Sequence, residues 1–178
     1  NEEYFKRKTA IVDEHNVEFA DNDERSMFFC RGVLETVKKL GWQPDVIHCH
    51  GWMTAPMGLY MKKVYSKDPH FAETRVVYSM YNESFNKNWD AKFADKLKFD
   101  GIDDADVSNF SNTDFHSITA GMMKYMDGVN VSSETLNPEL QKIFDDLTCN
   151  KLQFIAEEHQ TKALSEFFDK VIEETVLI

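Results

Sequence analysis

Two histidines two residues apart, His48 and His50, end the short apolar run Asp45-Val46-Ile47-His48-Cys49-His50, and Gly51 follows them. In a strand, side chains at i and i+2 share a face, so both imidazoles project to the same side. Helical periodicity resumes after Gly51. In open parallel sheets ligands collect outside the carboxyl ends of the strands, at such strand-to-helix turns. The helix start adds free N–H groups and a positive dipole end, which favour an anionic or oxygen-rich ligand. Imidazole suits that place, because it hydrogen-bonds hydroxyls such as those of a sugar and changes charge near neutrality. Two readings stay open: the pair faces a ligand, or one ring packs against backbone while the other is merely exposed. Trp52, the next aromatic, either stacks on a sugar ring or packs into the core.

Other chemistries find less support. A zinc site from His48, His50 and a Cys lacks the second ligand pair that a four-coordinate site needs. Cys30 falls on the apolar stripe of a helix, and Cys49 points away from the histidines, so both read as inert buried thiols. No Gly-rich dinucleotide fingerprint and no P-loop follows either strand. Ser132-Ser133 lacks the flanking glycines of a strained nucleophile elbow and reads as a solvated turn. Met122, Met123 and Met126 read as core. The acidic group Asp100, Asp103, Asp104 and Asp106 lacks the alternating ligands, central Gly and closing Glu of a calcium loop.

The elements that position the histidines follow from periodicity. Residues 1–20 read as loop with a short helical turn. A helix starts at Asp21-Asn22 with an Asp/Asn cap, carries acidic residues in its first turn and basic ones in its last, and stops at Gly41. Met27, Cys30, Leu34, Val37 and Leu40 form its stripe. Pro44 separates it from the strand at 45–50. A helix is expected over Trp52–Tyr65, a second strand over Arg75–Met80, and two weak helices with loops over the sheet edge in 84–112. Then come a helix over Phe115–Met126, a strand over Val129–Ser132, a helix from Pro138, a last strand over Leu152–Ile155 and an amphipathic helix over Ala156–Ile172. Strand and helix alternate throughout. The expected fold is α/β, a Rossmann-like parallel sheet with helices on both faces, formed by residues 1–178 as a single domain.

Composition sets outer bounds. The chain has 178 residues, 20 Lys plus Arg against 31 Asp plus Glu, and a formal net charge of −11. That balance excludes nucleic acid and anionic membrane surfaces, which are bound through clustered Lys and Arg. With 42% hydrophobic residues the chain can bury a core. Three cysteines without a framework imply a reducing, cytoplasmic setting. No apolar run approaches the roughly 20 residues of a membrane span. The start at Asn1, without an initiator Met or a signal-like segment, suggests that a leading segment is missing.

Several stretches together resemble the glycogen and bacterial starch synthase family, retaining glucosyltransferases of two-domain GT-B architecture. They are Asn1-Glu2-Glu3-Tyr4-Phe5-Lys6-Arg7; Asp21-Asn22-Asp23-Glu24-Arg25 with the helix it opens; and Gly41-Trp42-Gln43-Pro44-Asp45-Val46-Ile47-His48-Cys49-His50-Gly51-Trp52-Met53-Thr54-Ala55, similar to the family's GW-x-PD-V-V-H-x-H-D-W-x-T-A. Ser79-Met80-Tyr81-Asn82 stands where the family has Thr-Ile-His-Asn. Thr119-Ala120-Gly121-Met122, with the run Tyr125 to Ser132, is similar to Lys-Ala-Gly-Ile followed by Tyr-Ala-Asp and Thr-Val-Ser. Gly51 replaces a family Asp, Tyr81 a His and Thr119 a Lys.

The resemblance implies one half of a GT-B architecture, the amino-terminal domain on the acceptor side of the cleft. It implies His50 as the active-site His near the transferred glucose, with Asp21, Asn22, Arg25, His48, Trp52 and Asn82 as substrate-binding residues. The implied reaction moves glucose from ADP- or UDP-glucose to an α-1,4-glucan with retention, using the nucleotide-sugar as substrate and neither cofactor nor metal. The family's donor loop and its nucleotide-binding Arg, Lys and Glu are expected outside these residues. A relative that keeps the fold and part of the sugar cleft, as a non-catalytic glucan-binding or regulatory module, is the alternative. Donor nucleotide and oligomeric state are not legible.

Overall fold

The computed structural model describes residue 4 and residues 6–99 and 101–174. The segment Asn1 to Glu3, Phe5 and Asp100, named above, lie outside the described residues. Helix α1 spans Asn22–Lys39, with Asp23 and Glu24 in its first turn and Lys38 and Lys39 in its last. It ends as expected. Gly41 takes φ 64°, and the bonds Gly41 N–H to Lys38 and Trp42 N–H to Val37 satisfy two terminal carbonyls, the Schellman pattern that favours glycine there.

Two expectations for α1 are corrected. Asp21 precedes the helix but makes no side-chain cap. Its carboxylate instead takes two bonds from Arg7, at 2.7 and 2.6 Å, because the preceding segment lies across the helix start. The buried stripe is also displaced toward the start. Cys30 and Leu34 are buried together with Asn22, Asp23, Arg25 and Ser26, whereas Leu40 is 73% exposed. Ser26 Oγ and Cys30 Sγ both donate to the Met53 carbonyl, at 2.9 and 3.7 Å, so the helix is anchored by its first half.

Strand β1, Val46–His50, leads through Gly51 into a one-turn 3-10 helix, Trp52–Thr54, and then α2, Met57–Lys63. The single helix expected over 52–65 is interrupted because Pro56, which has no N–H to donate, starts a new helix instead of continuing one. Strand β2 is Arg75–Met80. The segment expected as polar cover contains α3, Phe93–Leu97, and α4, Asp104–Val107, followed by a 3-10 turn. These pieces are not an edge cover. Phe85, Trp89, Phe93, Leu97, Ile102, Val107 and Phe110 are all buried in the main core. Aromatic content, rather than periodicity, places the segment inside. Then come α5, Phe115–Met123, β3, Gly128–Val131, α6, Pro138–Asp145, β4, Asn150–Leu152, and α7, Glu157–Glu173. The last strand lies two residues earlier than expected, since pairing follows the short β3 register, Gly128 with Asn150 to Asn130 with Leu152.

The four strands pair in parallel in the order β1-β2-β3-β4. One face of the sheet, through Cys49, Val76, Tyr78, Met80, Val129 and Val131, joins the main core with Leu34 of α1, Tyr60 of α2, Ile118 of α5 and Leu140 of α6. The other face is covered by α7, where Phe167 and Val171 pack on Val77, with Val46, Leu152 and Phe168 beside them. Helices thus lie on both faces, as the alternation predicts. Among the described residues no helix is long and apolar enough to cross a membrane.

Gly128 is where α7 meets the sheet. A Cβ there would stand 2.8 Å from Val171 Cγ2 and 2.9 Å from the Phe167 ring, inside contact distance. Gly128→Val is therefore expected to lift α7 and to cost roughly 1–3 kcal/mol of overpacking. A urea midpoint equal to that of the unaltered protein would refute the close approach.

Candidate functional site

The register aligns His50 with Ser79 and Ser79 with Asn130, so β1, β2 and β3 bring these three side chains to one face near their carboxyl ends. His48 and His50 share this face, with ring centroids 4.1 Å apart. Cys49 lies on the opposite face, 1% exposed, and burial pushes its thiol up to about 12. Two histidines and that cysteine cannot converge on one metal. No cluster of three or more His, Cys, Asp or Glu able to hold a metal occurs among the described residues.

A polar chain crosses the sheet from His48. Ser79 Oγ donates to Asn130 Oδ1 at 3.0 Å, and Asn130 Nδ2 donates to Ser132 Oγ at 2.8 Å. Ser79 has spent its one hydrogen, so at 2.8 Å it accepts from His48 Nε2–H. The Phe168 ring of α7 stands edge-on 5.1 Å from His48. Burial, and then the charge His50 would carry, drive the His48 pKa down to about 4, against a smaller opposing pull from Asn130. The His50 pKa is lowered too, by partial desolvation of its ring, although the residue as a whole is exposed. Both rings are neutral at pH 7.

The lowered His48 pKa makes stability depend on pH. The unfolded chain binds a proton at about 6.5 that the folded chain refuses until about 4, so the stabilising contribution is complete above 6.5 and is lost as pH falls through that window. The expected loss between pH 7 and pH 4 is about 2–3 kcal/mol from this residue. Urea titrations at the two pH values should show it, and His48→Gln should flatten that part of the slope; an equal slope in the variant would remove His48 as its source.

The strand-end loops are tied into one rim. His50 Nδ1 lies 2.8 Å from the Tyr81 hydroxyl. Asn82 N–H donates to Ser133 Oγ at 2.9 Å, and Asn82 Oδ1 accepts from Asn137 N–H at 3.0 Å. Glu83 Oε1 accepts from Trp52 N–H at 3.1 Å and from the Tyr78 hydroxyl at 3.4 Å, and burial raises its pKa. Gly51, at φ 72°, sits against that carboxylate: a Cβ at position 51 would be 3.5 Å from both Glu83 oxygens. The departure from the family pattern thus has a local account. A Cβ there makes only ordinary contact, but φ 72° favours glycine, and an Asp carboxylate would stand beside that of Glu83, which caps the turn from across the loop.

The expected site residues fall into two groups. His48, His50 and Asn82 meet at the rim. Trp52 stands apart from both groups: it is 5% exposed and packs against Phe85 and Trp89, with centroids 5.5 and 5.8 Å away. Asp21, Asn22 and Arg25 gather at the start of α1, whose Ser26 and Cys30 bind the Met53 carbonyl in the turn after β1. Asn22 and Arg25 are 3% and 2% exposed. Arg25 donates to Asn22 Oδ1 and to the Tyr4 carbonyl, and Asn22 Nδ2 donates to the Ile11 carbonyl. These two side chains hold the backbone of Tyr4 and of Ile11 against α1. Arg7 beside Asp21 keeps that carboxyl below its usual range. A cavity of about 400 Å³ opens here, lined by Arg7, Lys8, Arg25, Phe29 and Met53 among others.

Sequence reasoning missed Ser79, Tyr81 as a partner of His50, Glu83, Asn130 and the loop-tying role of Ser133. A signal existed for two of them. Ser79 and Asn130 are polar residues inside apolar strands, where an unpaired polar side chain is costly, so each had to find a partner on the sheet face.

The family described as the starch synthase catalytic domain matches residues 1–153. A glycogen synthase of Pelodictyon phaeoclathratiforme is 32% identical over 163 residues, covering 91% of this chain and 32% of its own length. That of Clostridium perfringens is 37% identical over 124 residues, 68% of this chain and 25% of its own. The glycogen synthase of Chlorobium limicola is 42% identical over 83 residues, 46% and 17% respectively. A solved catalytic domain of starch synthase IV from Arabidopsis thaliana, bound to ADP and acarbose, shares 23% identity over 63% of this chain and 23% of its own, at a TM-score of 0.48. The chain spans a third or less of the length of these relatives. A match over residues 1–153 establishes that this chain belongs to the starch synthase catalytic domain family.

Proposed function

We propose that this chain supplies the amino-terminal, acceptor-side wall of a glucosyltransferase cleft, in which glucose passes with retention from ADP- or UDP-glucose to an α-1,4-glucan. The observation that carries the reading is the neutral, exposed imidazole of His50 at the carboxyl end of β1, backed by the hydrogen-bonded rim. A neutral imidazole with one nitrogen engaged keeps the other for a sugar oxygen. Asn82 flanks it from the loop after β2. Asp21 stands at the start of α1, where Asn22 and Arg25 position the chain that carries it.

The rim loops at 50–55, 81–85 and 132–136 carry no Lys or Arg and two carboxylates, Glu83 and Glu134. A departing nucleoside diphosphate needs positive charge or directed donors. In this reading the rim therefore handles sugar, and the diphosphate is met by groups outside it. The same charge pattern favours the second reading, a glucan-binding or regulatory module without turnover. Calorimetric titration with maltoheptaose, run beside an assay of glucose transfer from ADP-glucose to maltoheptaose, distinguishes them. Heat together with transfer supports the transferase, heat without transfer supports the module, and no heat from maltoheptaose rejects both.

A further inference from the structure

The ring of His50 has two distinct nitrogens, and the structure engages only one. Nδ1 is 2.8 Å from the Tyr81 hydroxyl, with the rings tilted by 38° and their centroids 6.1 Å apart. Nε2 has no hydrogen-bond partner among the described residues, and the residue is exposed. A hydrogen bond at one imidazole nitrogen decides which nitrogen carries the proton. Here the partner is a phenol, whose single O–H is a good donor and whose oxygen lone pairs, conjugated with the ring, are weak acceptors; an unprotonated imidazole nitrogen is a strong acceptor.

Tyr81 is also held from both sides. The next residue donates its backbone N–H to Ser133 Oγ and accepts Asn137 N–H on its side chain, and Glu83 beyond it is bound to Trp52 N–H. The loop carrying the phenol is therefore tied to the loops after β1 and β3, which pins the hydroxyl against His50. The neighbouring ring is pinned separately: His48 donates Nε2–H to Ser79. Position 81 is also where this chain departs from the family pattern by exchanging an imidazole for a phenol, a group with one hydrogen and one way to offer it.

We propose that Tyr81 is a positioning residue, which donates its O–H to His50 Nδ1 and so holds His50 as the Nε2–H tautomer, a fixed hydrogen-bond donor toward an oxygen acceptor of a bound sugar. The use of that donor rests on the sugar reading above; the tautomer itself does not. At pH 8, with no ligand, long-range proton–nitrogen NMR of the 15N-labelled chain reads it directly. The expected result for His50 is a pyridine-like Nδ1 and a pyrrole-like Nε2. In Tyr81→Phe both His50 nitrogens should move toward the values of two exchanging tautomers, while His48, held by Ser79, keeps its shifts and reports that the fold is intact. A pyrrole-like Nδ1 on His50 in the unaltered protein overturns the proposal, as does a Tyr81→Phe spectrum with unmoved His50 nitrogens. Addition of maltoheptaose should then shift His50 Nε2. If the tautomer is as expected and Nε2 stays silent, the sugar reading fails while the role of Tyr81 in setting the ring stands.

Discussion

Replacing His50 by Ala is expected to lower glucosyl transfer by at least about 10²-fold, the scale of losing one directed polar group at a reacting centre. Stability should change little, because His50 is exposed and its one hydrogen bond goes to Tyr81. Surface changes of this kind cost about 0.5 kcal/mol or less. The pairing of the two results is informative. Lost activity with an unchanged urea midpoint places His50 in the chemistry; unchanged activity ends the assignment of the rim as the transfer site. Activity lost together with several kcal/mol of stability would instead mark His50 as a structural residue.

The largest expected effect on folding lies away from the rim, at Lys96. Its ammonium sits 2.8 Å from each of three carboxylates, Asp23, Glu24 and Asp90. Asp23 is 1% exposed, and its second oxygen, Oδ1, has no hydrogen-bond partner. Among the described residues Lys96 is thus the only partner of the buried Asp23 carboxylate, and it joins α3 to the first turn of α1. Lys96→Met keeps the length of the side chain but leaves Asp23 uncompensated, and roughly 3–5 kcal/mol of stability should go with it. Glu24→Gln and Asp90→Asn, both at 42% exposed side chains, should each cost no more than about 1 kcal/mol. Restoration of part of the loss in the Lys96→Met/Asp23→Asn pair would locate the cost in the stranded carboxylate. Equal urea midpoints for Lys96→Met and the unaltered chain would show that the cluster contributes no net stability. Since Asp21 immediately precedes α1, a loosened first turn should also disturb the Arg7–Asp21 pair beside the cavity.

Much of the architecture was legible because its signals are local. The α1 boundaries follow from acidic and basic ends and from Gly41, which needs left-handed backbone. The strands at 46–50, 75–80 and 128–131 are short apolar runs between turn residues, and their alternation with helices implies a parallel sheet. Alternation within β1 also places His48 and His50 together and Cys49 behind them. Errors arose where a local pattern competes with a nonlocal one. The apolar periodicity of 52–65 is real, but Pro56 divides it; the polar composition of 84–112 hides an aromatic series that fills the core.

By itself the sequence determined the α/β class, the family resemblance and the identity of the strand-end histidines, all of which are written in residue type and spacing along the chain. Only the tertiary structure decided which groups those histidines meet. Register sets Ser79 and Asn130 beside them, and three loops distant in sequence converge so that Tyr81 reaches His50 and Glu83 reaches Trp52 N–H. It also decided that Trp52 is packed, and that Asn22 and Arg25 spend their polar atoms on the chain itself. Hydrogen bonds act over about 3 Å, whereas these partners lie 31 and more residues apart, so no spacing rule along the chain can pair them.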